Sequence, residues 1–178
     1  MQGFVNLAAD FAAAIAWLIP AICYLGGGTL LIGSIYGFWQ IANPGSQVSR
    51  RPAWPFVTLF VAATLLSFDQ MLNFANNTFG GGVQTSLSPS LTSYQPPQLG
   101  TNGFMGATPE DTLLNIINVF DYFFRAYGAL IVLFAVFTFY DNHKGQRHHY
   151  GHPITQTVFG IAVMNVQSIA SAVIGYFN

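Results

Sequence analysis

The chain has 178 residues, 52% of them hydrophobic and 6% charged, where an ordinary soluble domain carries about 25% charged residues. Five Lys or Arg stand against six Asp or Glu with no basic run, which excludes a nucleic-acid footprint and leaves too little charge to clothe a water-soluble surface. The abundance of Phe, Ile, Leu and Val excludes a disordered chain, and the lone Cys23 excludes a disulfide framework within one chain. The expectation is an all-α integral membrane protein forming a single membrane domain.

In chain order, residues 3–19 read as an amphipathic interfacial helix. Phe4, Ala8, Phe11, Ile15 and Leu18 recur at helical spacing, with Asn6 and Asp10 off the stripe. A spanning helix here would bury Asp10 at a cost of roughly 2.5 to 3.5 kcal/mol, and no positive region precedes the apolar run as a signal peptide requires. Pro20 reads as the break before the first span.

Four apolar stretches, 21–42, 54–75, 116–140 and 154–177, are each about long enough to cross a hydrocarbon core of roughly 30 Å as a helix. Abrupt changes to Gly, Pro, Ser and polar residues mark loops at 43–53, 76–115 and 141–153. Arg50 and Arg51 fall in the first loop, Lys144 and Arg147 in the third, and the middle loop has no Lys or Arg. The positive-inside rule then makes loops 43–53 and 141–153 cytoplasmic and places the termini and loop 76–115 in the periplasm of a bacterial inner membrane. Thr108 as cap, Pro109 at the first helical position and Glu110 and Asp111 behind it start the third helix near Pro109.

Small residues mark expected helix contacts. Gly33 and Gly37 form a GxxxG in the first span, and Ser168 with Ala172 and Ser171 with Gly175 repeat the spacing in the last. These faces suit packing within the chain or between copies.

Polar residues inside apolar spans are the candidate chemistry. Asp121 and Arg125 are four apart and able to pair on one helix face, and Asp69 comes out at a similar depth, so Asp69, Asp121 and Arg125 can form an intramembrane charge cluster. Its functional reading is a proton or ion relay in a small transporter subunit. The structural reading, a clasp between helices, is preferred, because between Gly128 and Tyr140 only Thr138 is polar and a continuous proton wire is absent. His143, His148, His149 and His152 make the third loop His-rich. Without Cys, Glu or helical His spacing they read as a solvated loop rather than a metal site or the centre of a membrane enzyme. No nucleophile elbow, phosphate loop or dinucleotide fingerprint occurs, so no catalytic, cofactor-binding or metal-binding residues are assigned.

With its outer amphipathic segment, Gly-rich first span, short basic loop, long neutral middle loop and closing stretch GIAVMNVQSIASAVIGYF, the chain resembles the IcmC/DotE family, whose conjugative-plasmid counterpart is TraQ. Gly160 to Gly175, with Asn165 and Gln167, carries the best local likeness, and Arg51 to Gln70 is similar in pattern to the family's second span. The resemblance implies a non-catalytic inner-membrane structural subunit of a type IVB secretion or conjugal transfer apparatus. Its implied partners are other inner-membrane secretion or conjugation proteins, itself, and the lipid bilayer, with no nucleic acid.

Overall fold

A computed structural model describes residues 2–43, 53–78, 104–106, 108–143 and 151–177. Six helices account for nearly all of them: α1 (Gln2–Ala42), α2 (Ala53–Leu66), α3 (Phe68–Thr78), α4 (Pro109–His143), α5 (Gly151–Met164) and α6 (Val166–Phe177). Among the described residues there is no strand. The all-helical expectation holds, and the chain has two helices long and apolar enough to cross a membrane, or up to four if each bent pair is one span.

The bends are the main departure from four straight spans. Between α2 and α3 the chain turns by 83°, and between α5 and α6 by 74°. At each bend stands a polar side chain that hydrogen-bonds the carbonyl four residues back. Ser67 Oγ donates to the Ala63 carbonyl at 2.7 Å, and Asn165 Nδ2 donates to the Ile161 carbonyl at 2.9 Å. Such back-bonding favours a slight bend, and the backbone bonds from the Ser67 N–H to Ala63 and from the Asn165 N–H to Ile161 persist beside it. The Asn165 backbone N–H is itself shared between the carbonyls of Ile161 and Ala162.

The expected break at Pro20 is absent, and α1 runs through it as one 41-residue helix. At 1.5 Å per residue that is about 61 Å, so residues 3–19 and 21–42 are one rod rather than a surface helix and a span. A proline inside a helix removes one internal hydrogen bond. Here the loss is outweighed by tertiary contact, since Ile19 and Cys23 on either side of Pro20 are buried in the core.

Contacts between elements fix their directions. Ala12 and Ala16 of α1 pack with Tyr122 and Ala126 of α4, and further along Gly26 lies beside Phe137, so α1 and α4 are parallel. Gly27 meets Ala62 and Leu66 of α2 while Gly37 meets Pro55, so α2 is antiparallel to α1. In the same way Gly128 and Val132 of α4 meet Met164 and Gly160 of α5, and α5 is antiparallel to α4. The chain thus repeats one unit: a long helix, a returning 14-residue helix with a buried proline at its third position (Pro55, Pro153), a bend, and a short lateral helix. The two units are staggered, because Gly26 lies beside Phe137 rather than Gly128.

The core fills the seam between the units. Ile19, Cys23, Val61, Leu65, Phe68, Leu72, Leu133 and Met164 are among its fully or nearly buried members. Phe68, Leu72 and Asn76, four residues apart, put the inner face of α3 on this core. By contrast α6 has no buried residue among those described. The start of α4 follows the capping expectation: Thr108 Oγ1 accepts from the Asp111 backbone N–H at 3.1 Å, and the Asp111 carboxylate accepts from the Thr108 N–H at 3.2 Å.

Candidate functional site

Asp121 and Arg125 form the ion pair that their spacing allows, with 2.6 Å between guanidinium and carboxylate. Arg125 is 30% exposed and Asp121 19%, so the pair sits half-sheltered beside the stretch of α4 that packs on Ala12 and Ala16. The Nε of Arg125 is buried without a hydrogen-bond partner.

Asp69 is not part of this group. It lies in the first turn of α3 and lines a small cleft with Pro20, Cys23 and Tyr24 of α1 and with Leu66. Those α1 residues are about two turns beyond Ala12 and Ala16, which separates Asp69 from the Asp121–Arg125 pair by roughly 12 Å along the rod. The reason is register: Leu66 packs beside Gly27, so Asp69, three residues on, falls level with Cys23 and Tyr24 of α1. Asp69 is exposed.

The polar contact that does join separate elements is between two asparagines. Asn165 Nδ2 donates to Asn76 Oδ1 at 2.7 Å, linking the end of α3 to the bend between α5 and α6. Asn76 is fully buried and Asn165 is 7% exposed, and the Oδ1 of Asn165 has no partner. The sequence marks Asn165 as an intramembrane polar residue but gives no signal for its mate, since Asn76 falls at the edge of the expected span.

Hydroxyl groups within the helices are spent locally. Thr58, Thr64, Thr138 and Thr157 each donate to the carbonyl four residues back, at 2.8 to 2.9 Å. Among the described residues no group of three or more His, Cys, Asp or Glu could hold a metal. Of the third-loop histidines, His143 ends α4 and His152 is exposed in the first turn of α5. His148 and His149 lie outside the described residues.

The small residues divide into two kinds. Gly37 is a true contact, where an added Cβ would stand 3.0 Å from Pro55. Around Gly33 and Gly175 nothing lies within 4 Å, and Ser168, Ser171 and Ala172 are exposed, so none of these positions is a close helix crossing within this chain. Among the described glycines, Gly128 and Gly160 make a close helix crossing against each other, which within-helix spacing cannot reveal because each helix contributes one glycine.

Removing one member of the Asp121–Arg125 pair is expected to cost about 1 kcal/mol or less, the range of partly exposed pairs. In detergent, Asp121→Asn and Arg125→Gln should each lower the unfolding temperature slightly, and the double variant by less than their sum. Compared with protein-family models, curated proteins and solved structures, the chain matches none of them.

Proposed function

We propose that this chain is a non-catalytic structural subunit of a bacterial inner-membrane assembly, of the type IVB secretion or conjugal transfer kind that its sequence resembles. The observation that carries the reading is helix surface left unused by the fold. The outer side of α6, with Ser168, Ser171, Ala172 and Gly175, carries small exposed residues, and at Gly33 of α1 and Gly175 nothing lies within 4 Å. In lipid, small residues gain most when a neighbouring backbone approaches closely. Of the polar groups, Asp121 pairs with Arg125 within α4 rather than between helices, and Asn76 pairs with Asn165 across elements.

In this reading the basic loops containing Arg50, Arg51, Lys144 and Arg147 face the cytoplasm and the acidic start of α4 faces the periplasm. The polar outer residues of α3, Asp69, Gln70 and Asn77, lie near the outer headgroups. Ion conduction is the less favoured alternative, because Asp69 stands apart from Asp121 and Arg125.

The test is co-purification in mild detergent from native membranes, comparing the natural chain with Gly33→Leu and Gly175→Leu. Nothing crowds either position, so both variants should accumulate normally yet lose co-purifying membrane proteins. A natural chain that recovers no membrane protein at all would sink the reading.

A further inference from the structure

The break between α2 and α3 frees backbone groups that the fold does not pair again. The Ser67 N–H bonds the Ala63 carbonyl and the Met71 N–H bonds the Ser67 carbonyl, both at 3.0 Å. Between those two bonds, no backbone hydrogen bond carries the helical ladder from the carbonyls of Thr64, Leu65 and Leu66 to Phe68, Asp69 and Gln70. In a membrane protein such carbonyls persist only where protein covers them or a polar cavity adjoins them. Leu65 and Leu66, which carry two of them, line the cleft that Asp69 shares with Pro20 and Cys23 of α1. Its volume is about 30 Å³, room for one small ion or a water or two.

The charge at this cleft is uncompensated. Asp69 makes no hydrogen bond or ion pair with any described residue. Helices α1, α2 and α3 contain no Lys, Arg or His, and Arg125 is taken up by Asp121. The positive end of α3, where Asp69 sits, offsets about half a charge, but the negative end of α2 meets the same break and returns it. A lone carboxylate among neutral carbonyls matches a single positive charge, whereas calcium sites draw on several carboxylates. Among the described residues no group of three His, Cys, Asp or Glu could hold a metal of the zinc or copper kind. Carbonyls at the ends of interrupted helices are the oxygen ligands that hold sodium in membrane proteins.

We infer that the cleft at the α2–α3 break binds a monovalent alkali cation, held by the Asp69 carboxylate and the free carbonyls of Leu65 and Leu66. Asp69 is exposed, so the ion enters from water. Bound there, it is a fixed counter-charge that ties the bend to α1 rather than a conducted ion. The inference is independent of which proteins the chain assembles with.

Thermal unfolding of the full chain in mild detergent tests it, with sodium chloride set against choline chloride at equal ionic strength so that screening is constant. Sodium should raise the unfolding temperature along a saturating curve, and equilibrium dialysis with labelled sodium should count about one ion per chain. Asp69→Asn should fold as well as the natural chain in choline, having lost an unpaired charge, yet bind sodium roughly tenfold more weakly or worse. Asp121→Asn removes an acid away from the cleft and should keep the sodium response. The same unfolding temperature in both salts, no ion counted, or a sodium response that survives Asp69→Asn would each overturn the inference. A response to acid alone would overturn it too, and would make Asp69 a protonated carboxyl instead.

Discussion

Gly128→Leu is expected to abolish the folded state of this chain, while Gly33→Leu leaves it intact. A Cβ at Gly128 would stand 2.6 Å from the Gly160 carbonyl oxygen and 2.9 Å from the Met164 backbone nitrogen. These are backbone atoms, so no rotamer change relieves the overlap and α4 and α5 must separate. Gly160 is constrained in return, with an added Cβ 2.9 Å from the Gly128 carbonyl oxygen. Overpacking of a close-packed site costs about 1–3 kcal/mol for a modest insertion. Gly128→Ala should fall in that range and the leucine beyond it. The same alanine at Gly33, in open space, should be neutral or stabilising by up to about 1 kcal/mol, since glycine is a poor helix former. Thermal unfolding in detergent, followed by loss of the monodisperse species, separates the two cases. Equal effects at Gly128 and Gly33 would refute the close crossing.

That contrast shows what could be read from the residues. The membrane character follows from composition alone, because 11 charged residues in 178 cannot cover a soluble surface. The start of α4 was equally legible, since a cap and its reciprocal partner lie within four consecutive residues. The Asp121–Arg125 pair was also readable, for two side chains four apart on one helix need only that helix to meet. Properties of two helices together were not. The Gly128–Gly160 crossing and the Asn76–Asn165 contact depend on which turns face each other after the chain has bent.

The bends themselves were hidden for a related reason. Ser67 and Asn165 look like single polar residues in apolar runs, and many such residues sit in straight helices by back-bonding, as Thr58 and Thr138 do here. What distinguishes the second bend is tertiary, because the Asn165 amide donates both to Ile161 and across to Asn76. Pro20 is the reverse case. Its local chemistry favours a break, yet buried neighbours on both sides hold the helix together. The three-residue cluster fails for a similar tertiary reason, because the register of α2 on α1, with Leu66 beside Gly27, sets Asp69 apart from Arg125.

Asn76→Leu is expected to destabilise the chain more than the simultaneous change Asn76→Leu with Asn165→Leu. The Asn76 side chain is fully buried. Replacing it alone leaves the Asn165 amide, already short of a partner at its oxygen, without its contact across the bend. Leaving a buried polar group unpaired costs about 1–3 kcal/mol, whereas replacing both partners by apolar groups of similar shape can be nearly neutral. In membrane proteins the coupling between such pairs averages about 0.6 kcal/mol and reaches about 1.7 kcal/mol. A fully buried, 2.7 Å contact belongs towards the upper end. A double-mutant cycle on unfolding in detergent measures the coupling directly. Because Asn165 also holds the bend by its bond to Ile161, Asn165→Leu alone should additionally straighten α5 into α6. A spin-label distance from α4 to α6 reads that change. If the distance holds and the two substitutions simply add, the amide pair contributes nothing and the bend must be held by packing alone.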